Sequence, residues 1–222
     1  MNQYDKIGKK YLNGQKAFFS KKKDESFEFI KSVIMKLDFK NKKILDVGCG
    51  DGRYMERIEK LGARYVYGLD ESRVMLEEAK RRGINSKKLF YSSIEKSELP
   101  SSSFDIIYAR FSLQHLKNLD QMYKEVSRLL KKGGVLVFAV PHPIRDLMLV
   151  KSQEYKSGQS FTIKLFKKKV PVVANMHPFD EYLSPTFFRL FKLTAFAEST
   201  KSEMYLKGFK VPEFLGIVAS KL

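Results

Sequence analysis

From residue 44 onward, short β-branched runs alternate with amphipathic stretches of helical period, the pattern of a parallel sheet covered on both faces. "KILDVG" (43–48) reads as a buried strand. "RYMERIEKLG" (53–62) follows as a helix, with Tyr54, Ile58 and Leu61 on one side and Gly62 as its stop. "YVYGLD" (65–70) is the second strand. The helix after it, "SRVMLEEAKRRG" (72–83), has Ser72 as its cap and Gly83 as its end. "KLFYSS" (88–93) and "FDIIYAR" (104–110) read as strands three and four. The strongly amphipathic stretch 119–134 predicts a helix stopped by two lysines and a glycine pair, and "VLVFAV" (135–140) is strand five, closed by Pro141. Two segments flank this unit. Residues 1–40 read as a polar, aromatic-dotted arm followed by a helix over 26–37. Residues 151–175 read as an inserted hairpin around the basic turn Lys167–Lys169. The stretch 184–200 predicts a helix, and 208–222 one or two strands, with Pro212 disfavoured inside a central one.

Three glycines at alternating positions, Gly48, Gly50 and Gly52, follow the first strand. A dinucleotide turn requires G-x-G-x-x-G, and counted from Gly48 its third glycine falls on Arg53. The phosphate-cradling run G-x-x-x-x-G-K-[ST] does not occur in the sequence. What remains is D-x-G-x-G-x-G, begun by Asp46, with Asp70 at the end of the next strand. A carboxylate there accepts hydrogen bonds from two ribose hydroxyls at once, and the glycines let backbone approach a ligand without Cβ contact. The turn predicts a nucleoside carrying little or no phosphate.

In order and spacing these segments resemble the class I S-adenosylmethionine-dependent methyltransferases. "ILDVGCGDGRY" is similar to the family's first motif and "VYGLDES" to its acidic strand end. "SSIEKSELPSSSFDIIYARFSLQHL" is similar to the adenine-side and fourth-strand motifs, and "VSRLLKKGGVLVFAVPHP" to the helix–GG–strand signature. The likeness runs from Lys43 to Pro143. It implies an α/β, Rossmann-like class I methyltransferase fold: a seven-stranded, mostly parallel sheet with helices on both faces, plus an inserted β-hairpin or lid region. Residues 1–40 would be an N-terminal arm and helix acting as a lid. Residues 41–222 would be the methyltransferase domain, with the variable substrate side within 144–205. The implied cofactor is S-adenosyl-L-methionine, leaving as S-adenosyl-L-homocysteine.

The resemblance also implies roles. Gly48, Gly50 and Gly52 would line the methionine and ribose, with Cys49 a small filler among them and Asp46 ordering the turn. Asp70 would take the ribose hydroxyls, beside Glu71 and Ser72. Ser93 and Ile94 would border the adenine, although many relatives carry Asp where Ser93 stands. Ala109, Arg110 and Phe111 would face the sulfonium. Tyr4 and Tyr11 either close over the cofactor or pack the arm on the core. Methyl transfer needs positioning first, and a base only for a hydroxyl or protonated amine. His142 and His177 are the first candidates for that base, and His115 either joins them or packs its loop. The three histidines lie 27 and 35 residues apart with no CxxC or HxxxH, so no metal is expected.

Composition changes this picture at few points. The 222 residues are 43% hydrophobic, which is globular, and the single cysteine forms no internal disulfide. The N-terminus lacks an apolar signal core and the longest aliphatic run is far too short to cross a bilayer, so a cytoplasmic protein with no membrane span is expected. The net charge of +17 is concentrated in 1–43 and 141–222. It reads either as a lysine-rich composition or as an RNA partner. Two acceptor classes follow: a small molecule with an O or N nucleophile, or an RNA such as tRNA tracked by the basic arm and hairpin. A non-catalytic cofactor-binding partner protein is a third reading, against which the intact glycines and Asp70 speak. No sequence feature specifies an oligomeric state.

Overall fold

The computed structural model describes residues 2–20, 24–35, 37–150, 154–168, 170–199, 203–206 and 208–222. Lys21–Lys23, and Lys169 of the basic turn Lys167–Lys169, lie outside them. Helices α1 (Gln3–Phe19) and α2 (Glu25–Ile34) precede β1 (Lys43–Val47). There follow α3 (Arg53–Glu59), β2 (Tyr65–Asp70), α4 (Arg73–Arg81), β3 (Leu89–Tyr91), β4 (Phe104–Arg110), α5 (Leu119–Leu129) and β5 (Leu130–Pro141). The remainder is α6 (Pro143–Leu149), β6 (Ser160–Lys164), α7 (Leu165–Lys168), β7 (Val170–Asn175), α8 (Phe179–Tyr182), α9 (Pro185–Leu190), β8 (Phe191–Glu198), β9 (Glu203–Leu206), β10 (Phe209–Pro212) and β11 (Phe214–Lys221).

Seven strands form one sheet in the order β3-β2-β1-β4-β5-β11-β8. β11 runs antiparallel to both its neighbours, and the other pairs are parallel. β6 with β7, and β9 with β10, make separate antiparallel hairpins. Both faces of the sheet are buried, which is why its central strands read as unbroken apolar runs. Along β1 and β4, Leu45, Val47, Ile107 and Ala109 join one core, while Ile44, Ile106 and Tyr108 join the other. Strand order reverses between β1 and β4, the point where ligands bind outside the carboxyl ends of an open α/β sheet. Val47 is in register with Leu69 and Ala109, so the glycine turn, Asp70 and Arg110 emerge at one edge.

Three elements depart from expectation. The arm is a 17-residue helix, α1, whose N-cap Asn2 accepts from the Tyr4 amide. Its Gly8 packs so close to α4 that a Cβ would stand 2.5 Å from Val74 Cγ1. Residues 184–200 are a short helix and then an edge strand. Phe191, Leu193, Ala195 and Ala197 alternate with more exposed residues, a period of two that pairs with β11. Helix α5 stops at Leu129, and the two lysines and the glycine pair open strand β5 instead.

Candidate active site

A cavity of about 650 Å³ lies at the carboxyl edge of the sheet. Its floor is the glycine turn with the ends of β2 and β4, and its roof is α1 with the β6–β7 hairpin. That volume suits a nucleoside-sized ligand with a further small group. All three turn glycines are left-handed, at φ +73°, +56° and +74°, a conformation that costs other residues about 1–2 kcal/mol. The surroundings give each a different reason. A Cβ on Gly48 would meet Ser112 Cβ at 2.3 Å, and one on Gly52 would meet Ile84 at 2.8 Å. A Cβ on Gly50 would meet nothing within 4 Å, because Gly50 faces the open cavity.

Asp70 is locked across this turn. One carboxylate oxygen accepts from the Gly50 N–H at 2.8 Å and the other from the Ser72 N–H at 2.8 Å. Each oxygen keeps a further lone-pair site for a ligand hydroxyl. Burial, with Glu71 and Asp5 nearby, raises its pKa to about 6 against the two N–H bonds. Burial raises Asp46 to about 7, with Asp70 and Asp51 adding and Arg110 opposing.

The sequence-predicted residues divide into two groups. Gly48, Cys49, Gly50, Asp70, Glu71, Ile94, Arg110, Phe111, Tyr4, Tyr11 and His115 line the cavity. Asp46, Gly52, Ser72, Ser93 and Ala109 support it from behind. Ser93 Oγ is engaged with the Glu95 N–H as a cap, so Ser92 and Ile94, and not Ser93, meet the cavity. Ser72 Oγ donates to Asp5 and accepts from the Met75 N–H. Cys49 is 4% exposed and burial pushes its thiol up, the opposite of an activated nucleophile.

The histidines are reordered. His142 is fully buried outside the cavity lining. Its Nδ1 accepts from the Ile144 N–H and its Nε2 lies 2.8 Å from Glu198. His177 is likewise outside, held by the Leu116 carbonyl and Glu181. Both histidines first considered as bases therefore clamp the structure away from the cavity. His115 does line it. Its Nδ1–H donates to the Val173 carbonyl at 2.9 Å, so its Nε2 accepts from the Tyr4 hydroxyl at 3.1 Å. Burial lowers its pKa to about 4, and burial raises the Tyr4 phenol well above its ordinary value.

Several site residues have no motif. Gln3 bonds the Val173 N–H and carbonyl with its side-chain amide, as a neighbouring strand would. Asp5 accepts from the Val74 N–H at the start of α4. Asp24 caps α2, and its position just before that helix is the one sequence signal it carries. It also binds the Ser26 and Tyr54 hydroxyls, Arg57 and Arg110. Burial opposes its charge, but Arg110 and the two hydroxyls hold its pKa below the usual value. Phe111 adopts φ +51°, with its carbonyl bonded by the Gln114 amide and its ring 5.1 Å from that of Phe214. Left-handed backbone at a non-glycine residue is a cost met most often at functional sites.

These features fit a nucleoside with an amino-acid tail. Asp70 has room for two hydroxyls, Ile94 offers an apolar edge for a base, and Gly50 leaves the floor open. Among the described residues, Arg110 Nε, Gln15 Oε1 and Gln114 Oε1 are buried in cavity-lining side chains without a hydrogen-bond partner. Such groups are rare in folded proteins unless something else satisfies them. No group of three or more possible metal ligands occurs among the described residues, and no described helix is long and apolar enough to cross a membrane.

Comparison with known proteins bears on the fold and the family. Residues 45–138 match the family described as "Methyltransferase domain". A sterol 4-C-methyltransferase of Caenorhabditis elegans is 34% identical over 101 residues, covering 44% of this chain and 30% of that protein. A ubiquinone biosynthesis O-methyltransferase of Pelagibacter ubique is 35% identical over 102 residues, covering 45% and 42%. The chain thus spans less than half the length of these relatives. An S-adenosylmethionine dependent methyltransferase from Mesorhizobium loti has the same fold: TM-score 0.68, 24% identity, 88% of this chain and 97% of that one covered.

Proposed function

Because the chain belongs, through residues 45–138 and its fold, to the class I S-adenosylmethionine-dependent methyltransferases, we propose that it methylates a small-molecule acceptor held under α1 and the β6–β7 hairpin. The observation that carries this reading is the roofed cavity, with Asp70 and the open face of Gly50 on its floor. When bound, the cofactor supplies an electrophilic methyl group on a sulfonium. The chain's own contribution is position and exclusion of water, which can supply most of the acceleration in an in-line displacement. Asp70 is oriented by two backbone N–H groups before any ligand arrives. Phe111 presents its ring from a fixed, left-handed backbone. Tyr4 and Tyr11 pack edge to face 5.2 Å apart in the roof.

Proton transfer is not what this site is built for. His115 is neutral at pH 7 with both ring nitrogens engaged, and Tyr4 holds its proton. The acceptor is therefore one whose nucleophilic nitrogen or oxygen needs no strong base. A roofed cavity also favours a small molecule over an RNA base, which needs an open approach for the attached strand.

Two measurements test this. Calorimetry with S-adenosylhomocysteine should give binding that Asp70→Ala weakens at least ~10-fold, the scale of lost hydrogen bonds to a charged group; unchanged affinity removes the site assignment. Methyl-labelled cofactor with fractionated cell extract should label the small-molecule pool. Label in the RNA pool instead overturns the acceptor class.

A further inference from the structure

Helix α1 carries its charge differently from the other long helices. Its inner stripe, with Tyr4, Gly8, Tyr11 and Gln15, meets the cavity and α4. Its outer stripe holds Lys6, Lys9, Lys10, Asn13 and Lys16, all exposed. The one acid of the helix, Asp5, turns inward to Ser72 and the start of α4. Elsewhere the signs are mixed. Glu77 pairs with Lys80 and Glu78 with Arg81 on α4, and Glu125 pairs with Arg128 on α5. Helix α2 sets Glu25 and Glu28 against Lys31. Among the described residues no such pair reaches the four lysines of α1. They form an unmatched positive row along about 15 Å of helix.

The β6–β7 hairpin continues this surface. Gln3 bonds Val173, and a Cβ on Gly14 would stand 2.8 Å from the Phe166 ring, so α1 and the hairpin pack side by side. The exposed residues described on that hairpin are Ser160, Thr162, Lys164, Pro171 and Val173, with no acid among them. A face of this charge suits an anionic surface, either a lipid headgroup layer or a nucleic acid. It lacks what a nucleic-acid reader uses. There is no arginine on α1, and Tyr4, Tyr11, Phe18 and Phe166 contact one another on the inner side instead of standing out to stack on bases. The large apolar side chain exposed beside the lysines is aliphatic, Val173 at 47%. A lysine row of this kind matches a plane of anionic headgroups. We propose that the outer face of α1, with the β6–β7 hairpin, docks the protein on an anionic lipid surface and sets the roof of the cavity against it. The contact is peripheral, because the apolar side of α1 already covers the cavity and is not free to insert. This inference goes beyond the methyl-transfer reading and does not rest on it.

Vesicle sedimentation with the full chain tests it. Phosphatidylcholine vesicles carrying about one third phosphatidylserine should pull the protein down, and pure phosphatidylcholine vesicles should not. Added salt should release it, since headgroup charge is screened within about 8 Å at physiological ionic strength. Each lysine near such a surface contributes roughly 5-fold, so Lys9→Gln with Lys10→Gln should weaken binding roughly 10- to 30-fold. Glutamine forms helix about as well as lysine, so α1 persists in that variant. Lys9→Arg with Lys10→Arg keeps the charge and should bind as the wild type does. Lys40→Gln with Lys132→Gln removes equal charge at the opposite, amino edge of the sheet, where both side chains are exposed. That control should change binding by less than about twofold, because its sites lie beyond the screening distance. Equal losses in the two glutamine variants, or equal binding to the two kinds of vesicle, overturn the inference. So does displacement from the vesicles by bulk tRNA at equal phosphate, which makes the partner a nucleic acid. No arm uses cofactor or acceptor, so failure here leaves the methyltransferase reading standing, and failure of that reading leaves this one.

Discussion

Gly50→Ala separates a ligand contact from a folding contact more cleanly than any other change in the turn. Alanine at φ +56° costs about 1–2 kcal/mol for the left-handed backbone. No atom within 4 Å adds to that cost. For a chain of this size the expected fall in Tm is on the order of 2–8 °C. The new methyl, however, projects into the space where the cofactor must lie. Overfilling a closely packed contact costs about 1–3 kcal/mol, so S-adenosylhomocysteine affinity should drop roughly 5- to 150-fold. Gly83→Ala is the matching control. Gly83 is also left-handed, at φ +94°, also has nothing within 4 Å, and sits at the exposed end of α4. It should lose similar stability and no affinity. Thermal unfolding and calorimetry on the two variants give the answer. Wild-type affinity in Gly50→Ala, or an equal loss in Gly83→Ala, refutes the claim that Gly50 floors the ligand site.

Asp46→Asn should raise Tm at pH 8, by no more than a few kcal/mol in stability, because burial holds the folded carboxyl at about 7. A raised folded pKa means the group's stabilising contribution is present below its unfolded pKa near 4 and is lost as pH rises through 7; the advantage of the variant should therefore vanish near pH 4, and a pH-independent gain contradicts the assignment. Gln3→Ala removes both side-chain bonds to Val173 and the contact to His115; amide hydrogen exchange over residues 3–19 should speed up and S-adenosylhomocysteine should dissociate faster, with little change in Tm. His142→Gln and His177→Gln should each lower Tm while leaving S-adenosylhomocysteine affinity within about twofold, since neither side chain lines the cavity; a large affinity loss without a Tm change returns them to the site.

The middle of the fold was readable because its pattern is local. Strands buried on both faces give continuous apolar runs, and helices α3, α4 and α5 carry their periodicity, and α3 and α4 their stop signals, within a few residues. The left-handed turn at Gly48, Gly50 and Gly52 is local for the same reason, whereas Asp70 reaches the Gly50 N–H only because β1 and β2 pair in parallel. Residues 184–200 were not, because Phe187, Leu190 and Phe191 also fit a helical period, and only pairing with β11 selects the strand. Helix α1 was hidden for a different reason. Its attachments are single polar side chains reaching distant elements, Asn2 to Glu71, Gln3 to Val173 and Asp5 to Ser72. The Asp24–Arg110 pair joins residues 86 apart and has no periodicity to announce it.

The basic composition and the site point in opposite directions, and that contrast constrains the acceptor. The chain carries +17 overall. Yet the cavity wall holds six acidic side chains, among them Asp51, Asp70 and Glu71, against three basic ones, Arg110, Arg145 and Lys164. Low-dielectric walls strengthen such a local field. Burial and crowding already push Asp46 and Asp70 above their ordinary values, so a cation entering the turn would relieve them. A sulfonium nucleoside is such a cation. On the same reading a phosphate backbone, its opposite in charge, would find the acidic floor of the cavity unfavourable. On the proposed small-molecule reading, the lysine excess would act at the exterior, and the acceptor would meet a chamber whose lining carries more acidic than basic side chains.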